Sequence, residues 1–400
     1  MANEQATQAV DPIIYLYPQR TDKAKKQVPY QKPFQLISFS YSSTHEFEFS
    51  DSSLRYYVDP PLNVRLDHGF MRWIRRPEER GRLDSLLKAY SRVNKEYSMG
   101  EVGVVSWRGV MTKILSAIYD DGGAMELNIM SVGGTLYLEE HRTEEQLRNM
   151  NDLTRRQATF MYYGYAFESY CTSDTPMRVA KPPAHLGDPP EWGGDVNTNV
   201  QWCSVVKSRL GDIRVVIGGE VDCVRETYTR QPDTYVELKT SQEVLSAQDA
   251  DRFQRKLLKF YFQSYLLGVP EVIVGFRSPK GILLKTQSYQ TAHIPRLVRG
   301  RRDAWDPLLC LEWGYDILSF FKERIMADIN DGAPPDTVWR ARFVPSHAVL
   351  FQKLDRAGVD EVVAGEDRIG FLPRWYWQEV MGVHEGRGKD KGDTKAGWRI

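Results

Sequence analysis

Alternating apolar and polar positions predict several β-strands. Residues Ala124 to Met130 and Thr135 to Glu139 alternate on either side of Gly133-Gly134, which is typical of a β-hairpin. Two further strands are expected at Ile213 to Val224 and Thr234 to Thr240. Because the connection between these two is short, antiparallel pairing is favoured.

Helical spacing of apolar residues predicts three long helices. They are Glu144 to about Cys171, Ala247 to Leu267, and Trp305 to Met326. Thr143 and Gln146 form a capping-box pattern before the first, and Gly268 ends the second. Another hairpin is predicted from strands at 272–276 and 282–289.

This order of elements indicates the α/β class (mixed α+β), with a central mixed β-sheet flanked by helices. We expect one catalytic domain over residues 31–384, between a flexible N-terminal tail (1–30) and a flexible C-terminal tail (385–400). The stretch from Ser173 to Asn199 is rich in Pro and Gly and predicts a long surface excursion.

Composition restricts how the chain can hold a polyanion. Lys plus Arg and Asp plus Glu both total 53, so the whole molecule has no general attraction for nucleic acid. Basic residues cluster in two places, which are either solvated surface turns or phosphate-binding segments. These clusters are Arg72, Arg75, Arg76, Arg80 and Arg82, and Arg296, Arg299, Arg301 and Arg302.

Several site classes are not indicated by the sequence. The four cysteines are widely spaced, with no nearby His at zinc-ligand spacing. No apolar run approaches membrane-spanning length, so we expect no membrane association. Nucleotide P-loop, dinucleotide and nucleophile-elbow motifs are absent.

Acidic residues lie on one face of each of two neighbouring predicted strands. Strand alternation places Glu220 and Asp222 on one face, and Glu237 and Lys239 on one face of the next strand. If the register matches, three carboxylates and an ammonium group converge. Carboxylates this close need a cation, and oxygen-only ligation favours Mg²⁺ or Mn²⁺. The alternative is a solvated sheet face with an ordinary Glu–Lys pair.

Other polar residues extend this candidate site. Glu168 lies at the end of an apolar helical stripe, where a metal shared with Asp222 and Glu237 would give it a partner. Lys259 and Gln263 share a helix face and suit contacts to a phosphate chain, although a solvated basic face fits equally well. Arg108, between Trp107 and Gly109, is either a phosphate clamp or an Arg beside a core Trp.

The ordered motifs resemble the DXO family of RNA 5′-end decapping and quality-control enzymes, which has a PD-(D/E)xK nuclease core. The motifs that carry this resemblance are Trp107-Arg108-Gly109, Gly164-Tyr165-Ala166-Phe167-Glu168, Gly219-Glu220-Val221-Asp222-Cys223, Val236-Glu237-Leu238-Lys239-Thr240 and Lys259-Phe260-Tyr261-Phe262-Gln263-Ser264. By this resemblance Glu168, Asp222 and Glu237 bind the cation directly, Glu220 binds it through water, and the Leu238 carbonyl adds a ligand. Lys239 and Gln263 hold the scissile phosphate and the attacking water, while Arg108 grips the phosphate chain.

The resemblance also implies a biological setting. The expected substrates are triphosphate, incompletely methylated cap and NAD-type RNA 5′ ends, all converted to 5′-monophosphate. The chain is most similar to a fungal nuclear branch, which implies a nuclear location and a 5′–3′ exoribonuclease partner. Two alternatives remain open: a DNA-directed nuclease of the same superfamily, and a non-catalytic exoribonuclease cofactor.

Overall fold

The computed structural model describes residues 12–179, 183–301, 304–386 and 395–396. Its strands are β1 (Ile13–Leu16), β2 (Phe34–Tyr41), β3 (Phe47–Glu48), β4 (Tyr56–Tyr57), β5 (Tyr97–Ser98), β6 (Val104–Trp107), β7 (Met125–Val132), β8 (Thr135–His141), β9 (Thr172–Ser173), β10 (Gln201–Leu210), β11 (Ile213–Glu220), β12 (Cys223–Val224), β13 (Tyr235–Gln242), β14 (Glu271–Arg277), β15 (Leu283–Gln290), β16 (Trp339–Val344), β17 (Ala348–Lys353), β18 (Arg368–Ile369), β19 (Leu372–Pro373) and β20 (Lys395–Ala396).

The α-helices within these residues are α1 (Asp84–Glu96), α2 (Arg108–Ser116), α3 (Glu144–Asn151), α4 (Arg155–Cys171), α5 (Ala247–Leu267), α6 (Ile294–Val298), α7 (Pro307–Asn330), α8 (Arg356–Val363) and α9 (Arg374–Gly386). In the part of the chain that the structure describes, no helix is both long and apolar enough to cross a membrane.

Two large mixed sheets form the centre of the molecule. One has ten strands in the order β1-β17-β16-β7-β8-β6-β11-β10-β2-β3, and β6 lies parallel to both of its neighbours. The other has six, in the order β15-β14-β13-β12-β4-β9, with β13 parallel to β14. This arrangement confirms the predicted mixed class and both predicted hairpins.

Helices cover both faces of the ten-stranded sheet. On one side α2, α5 and α7 pack together, and the Trp313 indole on α7 donates to the Ile114 carbonyl of α2 at 2.9 Å. Gly314 permits this approach, since an added Cβ would lie 2.2 Å from Leu115. Apolar side chains of α1 and α9, including Leu86 and Tyr376, form a second cluster against the opposite face.

Two sequence predictions of single continuous elements were wrong. The helix expected over Glu144 to Cys171 is two helices, because Thr154 and Gln157 form a second capping box that starts α4. The strand expected over Ile213 to Val224 is likewise two strands, β11 and β12, which belong to different sheets.

The prediction of a flexible N-terminal tail over residues 1–30 was wrong at residues 13–16. Residues 13–16 form the edge strand β1, which pairs with β17, and the Tyr15 ring lies 4.8 Å from that of Phe320 on α7. At the other end α9 continues to Gly386, two residues into the predicted C-terminal tail. The remaining tail residues, 1–11, 387–394 and 397–400, and Arg302 of the second basic cluster lie outside the described residues.

Candidate active site and metal centre

The candidate acidic residues lie where the chain passes from one sheet to the other. Glu220 ends β11 in the ten-stranded sheet, and β12 of the six-stranded sheet begins at Cys223. Cys223 pairs with Val236 in antiparallel register, which places Asp222 beside Glu237. The Leu238 N–H donates to Asp222 Oδ2 at 2.6 Å and fixes this carboxylate against β13.

Glu237 is almost completely buried between two cations. Its side chain is 1% exposed, with Oε2 3.0 Å from Arg108 Nη1 and Oε1 2.5 Å from Lys239 Nζ. Burial alone would raise the pKa of Glu237, but Arg108 and Lys239 outweigh it, so the pKa is lowered. Glu237 is therefore a buried anion, and the Arg108 side chain is directed at it. The phosphate-clamp role of Arg108 stays a prediction.

At the other three carboxylates, burial and neighbouring negative charge outweigh the cations, so the pKa values are raised. Burial and then the charges of Asp222 and Glu220 raise the pKa of Glu168 well above its ordinary value. Burial, together with Glu237, raises the pKa of Asp222 to about 7. The pKa of Glu220 is also raised, chiefly by burial, although Arg108 opposes this. Four carboxylates thus repel one another around only two compensating cations.

Glu168 is carried to this cluster by the packing of α4. Phe167 and Tyr170 are fully buried, and the Phe167 ring lies against Gly275 of β14, where an added Cβ would be 2.5 Å from the ring. Ala166 adds to the same apolar cluster. The Glu168 carboxylate has no ion pair or side-chain hydrogen bond to any residue that the structure describes.

The donor set fits a hard divalent cation. Its oxygens come from Glu168, Glu220, Asp222 and Glu237, while the nearest cysteines are buried. Among the described residues, no three acidic, His or Cys side chains are already close enough to form a ligand set. Glu237 forms ion pairs with Arg108 and Lys239, and Asp222 accepts a hydrogen bond from the Leu238 N–H.

A cavity of about 560 Å³ opens over this cluster. Glu168, Glu220 and Asp222 line it, together with Tyr165 and the segment 193–198. Its volume is in the range of ordinary small-ligand sites. The three carboxylates with raised pKa values therefore face open space large enough for a substrate group.

Gln201 is a site residue that the sequence reasoning missed. It lines the cavity and donates from Nε2 to Glu220 Oε2 at 2.9 Å. Its position follows from the pairing of β10 with β11, which sets Cys203 opposite Glu220. Nothing in the sequence around Gln201 signals this contact, because only the strand register creates it.

Lys259 and Gln263, the two α5 residues predicted to contact phosphates, are not among the described residues that line the cavity. Lys259 pairs with Asp120 at 2.9 Å, and its side chain is 53% exposed. Gln263 lies one helical turn further along α5, partly buried. Arg108, Glu237, Lys239 and Gln263 are not among the residues that line the cavity.

The first basic cluster has structural partners. Arg82 contacts Glu139 at 2.9 Å, and Arg75 donates to the carbonyls of Asn151 and Met150. The other three arginines pair with acidic groups: Arg72 with Asp188 and Asp195, Arg76 with Glu79, and Arg80 with Glu144. Each of the five arginines therefore has a protein partner, which neither of the predicted alternatives, solvated surface turns or phosphate-binding segments, included.

Comparison with known proteins agrees with this geometry. Residues 31–377 match the family described as RAI1-like PD-(D/E)XK nuclease. The chain is 34% identical to "Decapping nuclease RAI1" of Mycosarcoma maydis, over 88% of each protein. It is 36% identical to "Decapping and exoribonuclease protein" of Bos taurus, over 88% of this chain and 86% of that protein. The crystal structure of S. pombe Rai1 in complex with 3′-FADP is also similar, with TM-score 0.68 and 26% identity over 86% of this chain and all of that one.

Proposed function

Because this chain belongs to the RAI1-like PD-(D/E)XK nuclease family, we propose that it is a decapping nuclease that removes the terminal group from RNA 5′ ends. The observation that carries the proposal is the cluster of Glu168, Glu220, Asp222 and Glu237, the first three of which line the cavity, with Arg108 and Lys239 in contact with Glu237. Family membership confirms the resemblance found in the sequence.

The proposed cofactor is Mg²⁺ or Mn²⁺, held by Glu168, Asp222 and Glu237 directly, by Glu220 through water, and by the Leu238 carbonyl. A bound divalent cation supplies Lewis-acid stabilisation of phosphate charge and lowers the pKa of bound water. The repulsion among the four carboxylates supports this assignment, as does the lack, among the described residues, of a direct partner for the Glu168 carboxylate.

Arg108 is proposed to grip the phosphate chain of the RNA 5′ end, and Lys239 to hold the scissile phosphate with Gln263. A guanidinium group has five N–H donors and an ammonium group three, and each of these side chains uses one donor on Glu237. Their pKa values are raised, since Glu237 and Asp222 outweigh the effect of burial, so both remain cationic at neutral pH. They can therefore stabilise negative charge that develops on phosphate oxygens. Gln263 is proposed to orient the attacking water, and Lys259 to contact the following phosphate.

The proposed substrates are RNAs with triphosphate, incompletely methylated cap or NAD-type 5′ ends, and the common product is 5′-monophosphate RNA. RNAs labelled in the terminal phosphates test this directly. We expect release of pyrophosphate, a cap structure or a dinucleotide, according to the starting end. Cleavage of a circular RNA at a comparable rate would contradict recognition of the 5′ end.

Two carboxylate-to-amide variants test the assigned ligands. Asp222→Asn and Glu237→Gln keep the shape but remove ligand charge, and we expect each to lose orders of magnitude in kcat with the fold retained. EDTA should abolish wild-type activity, and Mg²⁺ or Mn²⁺ should restore it. Wild-type turnover by the Glu237→Gln protein, or full activity after exhaustive chelation, would contradict the assignment.

We also propose a nuclear location and a 5′–3′ exoribonuclease partner. Similarity to the fungal protein named for decapping supports this, since an exoribonuclease can consume the monophosphate RNA that decapping produces. The test is co-purification of the endogenous chain from nuclear extract, followed by gel filtration of the recombinant pair. Separate elution of the two proteins at every salt concentration would favour a free-standing enzyme.

A further inference from the structure

Another cavity, of about 820 Å³, is lined by several basic residues. It shares no lining residue with the cavity over the carboxylate cluster, within the described part of the chain. We call it the basic cavity. The cationic residues that line it are Arg20, Lys23, Arg255, Arg299 and Arg301. It includes two arginines of the second basic cluster, whose role the active site does not explain.

The acidic residues of the basic cavity are already engaged. Asp121 pairs with Arg20, Asp22 accepts from the Gln19 N–H at 2.9 Å, and Asp306 accepts from the Leu308 N–H at the start of α7. Five cations against these three anions leave an excess of positive charge.

Most of the cations, by contrast, have no close anionic partner in the part of the chain that the structure describes. Within the described residues, the side chains of Lys23, Arg255, Arg299 and Arg301 form no ion pair or hydrogen bond, and Arg255 has only a longer-range interaction with Asp121. Arg299 and Arg301 are also exposed. Clustered, solvent-accessible cations of this kind suit a phosphate-bearing ligand.

Two antiparallel helices connect the basic cavity to the active site. At one end, Arg108 begins α2, and Gly219 lies between Arg108 and Leu267 of α5. At the other end, Asp120 follows α2 and pairs with Lys259. The α2–α5 pair therefore has the catalytic groups at one end and the basic cavity at the other.

Polar residues along α5 mark the path between the two sites. Gln263, Lys259 and Arg255 recur at four-residue intervals, which places them along one helix face. At 1.5 Å per residue, this row spans about 12 Å of helix axis. Arg255 itself lines the basic cavity, so the row connects the proposed phosphate-binding residues to it.

We propose that the basic cavity binds backbone phosphates of the same RNA, downstream of the 5′ end held at the carboxylate cluster. This inference rests on the proposed function and adds to it a determinant of substrate length. A single strand whose 5′ terminus lies near Arg108 follows the row on α5 and reaches Arg299 and Arg301. A short 5′-triphosphorylated oligonucleotide occupies the active site but does not reach the basic cavity.

The test compares two substrates with the Arg299→Ala/Arg301→Ala variant. One is a 5′-triphosphorylated dinucleotide, and the other is a 5′-triphosphorylated RNA of about 20 nucleotides, longer than common single-strand binding sites. We expect the ratio of kcat/KM for the long RNA to that for the dinucleotide to fall by roughly tenfold. The log–log salt dependence of long-RNA binding should decrease by about 1.4, at about 0.7 per lost phosphate contact.

The matched control is Arg296→Ala/Arg324→Ala, which removes two exposed arginines outside the basic cavity. It should leave the length ratio at the wild-type value. The proposal is overturned if the Arg299/Arg301 variant matches this control, or if it loses activity equally on both substrates. Failure of the wild-type protein to hydrolyse either 5′ end would instead contradict the proposed function.

Discussion

Replacement of Arg108 by Ala separates its electrostatic role from its role with substrate. The change removes the 3.0 Å contact to Glu237, which is 1% exposed. Loss of one partner from a buried ion pair costs about 3–5 kcal/mol, and we expect about 3 here because Lys239 remains on the other oxygen. With an unfolding entropy of about 2.1 cal/mol/K per residue, the 400-residue chain should lose about 4 °C in Tm without metal.

The same variant should lose catalytic efficiency for a different reason. Loss of a charge-assisted phosphate contact costs about 1–3 kcal/mol, or about 5- to 150-fold in kcat/KM on 5′-triphosphate RNA. Calorimetry in EDTA and in Mn²⁺ measures the first effect, and pyrophosphate release measures the second. The Tm loss should shrink in Mn²⁺, because the cation then compensates Glu237.

Arg108→Lys is the control, since it keeps the charge but loses the planar donor fork. It should recover most of the Tm and little of the turnover. Equal Tm losses with and without metal would refute Glu237 as a shared metal ligand. Wild-type kcat/KM in Arg108→Ala would refute the phosphate role.

Three further predictions address the surroundings of the site. Gly193→Ala should destabilise the protein by about 1–3 kcal/mol and reduce turnover. The reason is that an added Cβ would lie 2.0 Å from the main-chain oxygen of Ser169, on the helix that carries Glu168. Gly123→Ala, with open space around it, is the control for both the stability and the turnover measurements. Burial raises the pKa of Glu139 from 4.5 to about 8, so its contribution to stability is complete below about pH 4.5 and is lost as the pH rises through about 8. Glu139→Gln should remove that slope from Tm-against-pH profiles, and an unchanged slope would assign it to other groups. Mn²⁺ should raise the Tm of the wild-type protein but not that of Asp222→Asn, and equal stabilisation of both would place the metal elsewhere.

The element pattern was largely predictable where local chemistry decides it. The 247–267 helix was predicted with its observed bounds, because a capping box at Ser246 and a left-handed Gly268 determine its two ends. The glycine pair at 133–134 likewise specified the first hairpin. Predictions were wrong where a local signal competed with another, as at Thr154, where a second cap divides an otherwise continuous apolar pattern.

The sequence by itself determined the chemistry of the site, because strand alternation and helical spacing are local properties that select which side chains share a face. It identified the acidic residues and Lys239 in this way, and Arg108 from its position between Trp107 and Gly109. Only the tertiary structure decided how these groups meet: β11 and β12 enter different sheets, Arg108 pairs with Glu237 across 129 positions, and Gln201 reaches Glu220 through the register of β10. These contacts depend on packing between segments that are distant in the sequence. The pKa values of the carboxylates depend on how deeply each group is buried and on which charges lie near it. A local sequence pattern contains neither kind of information.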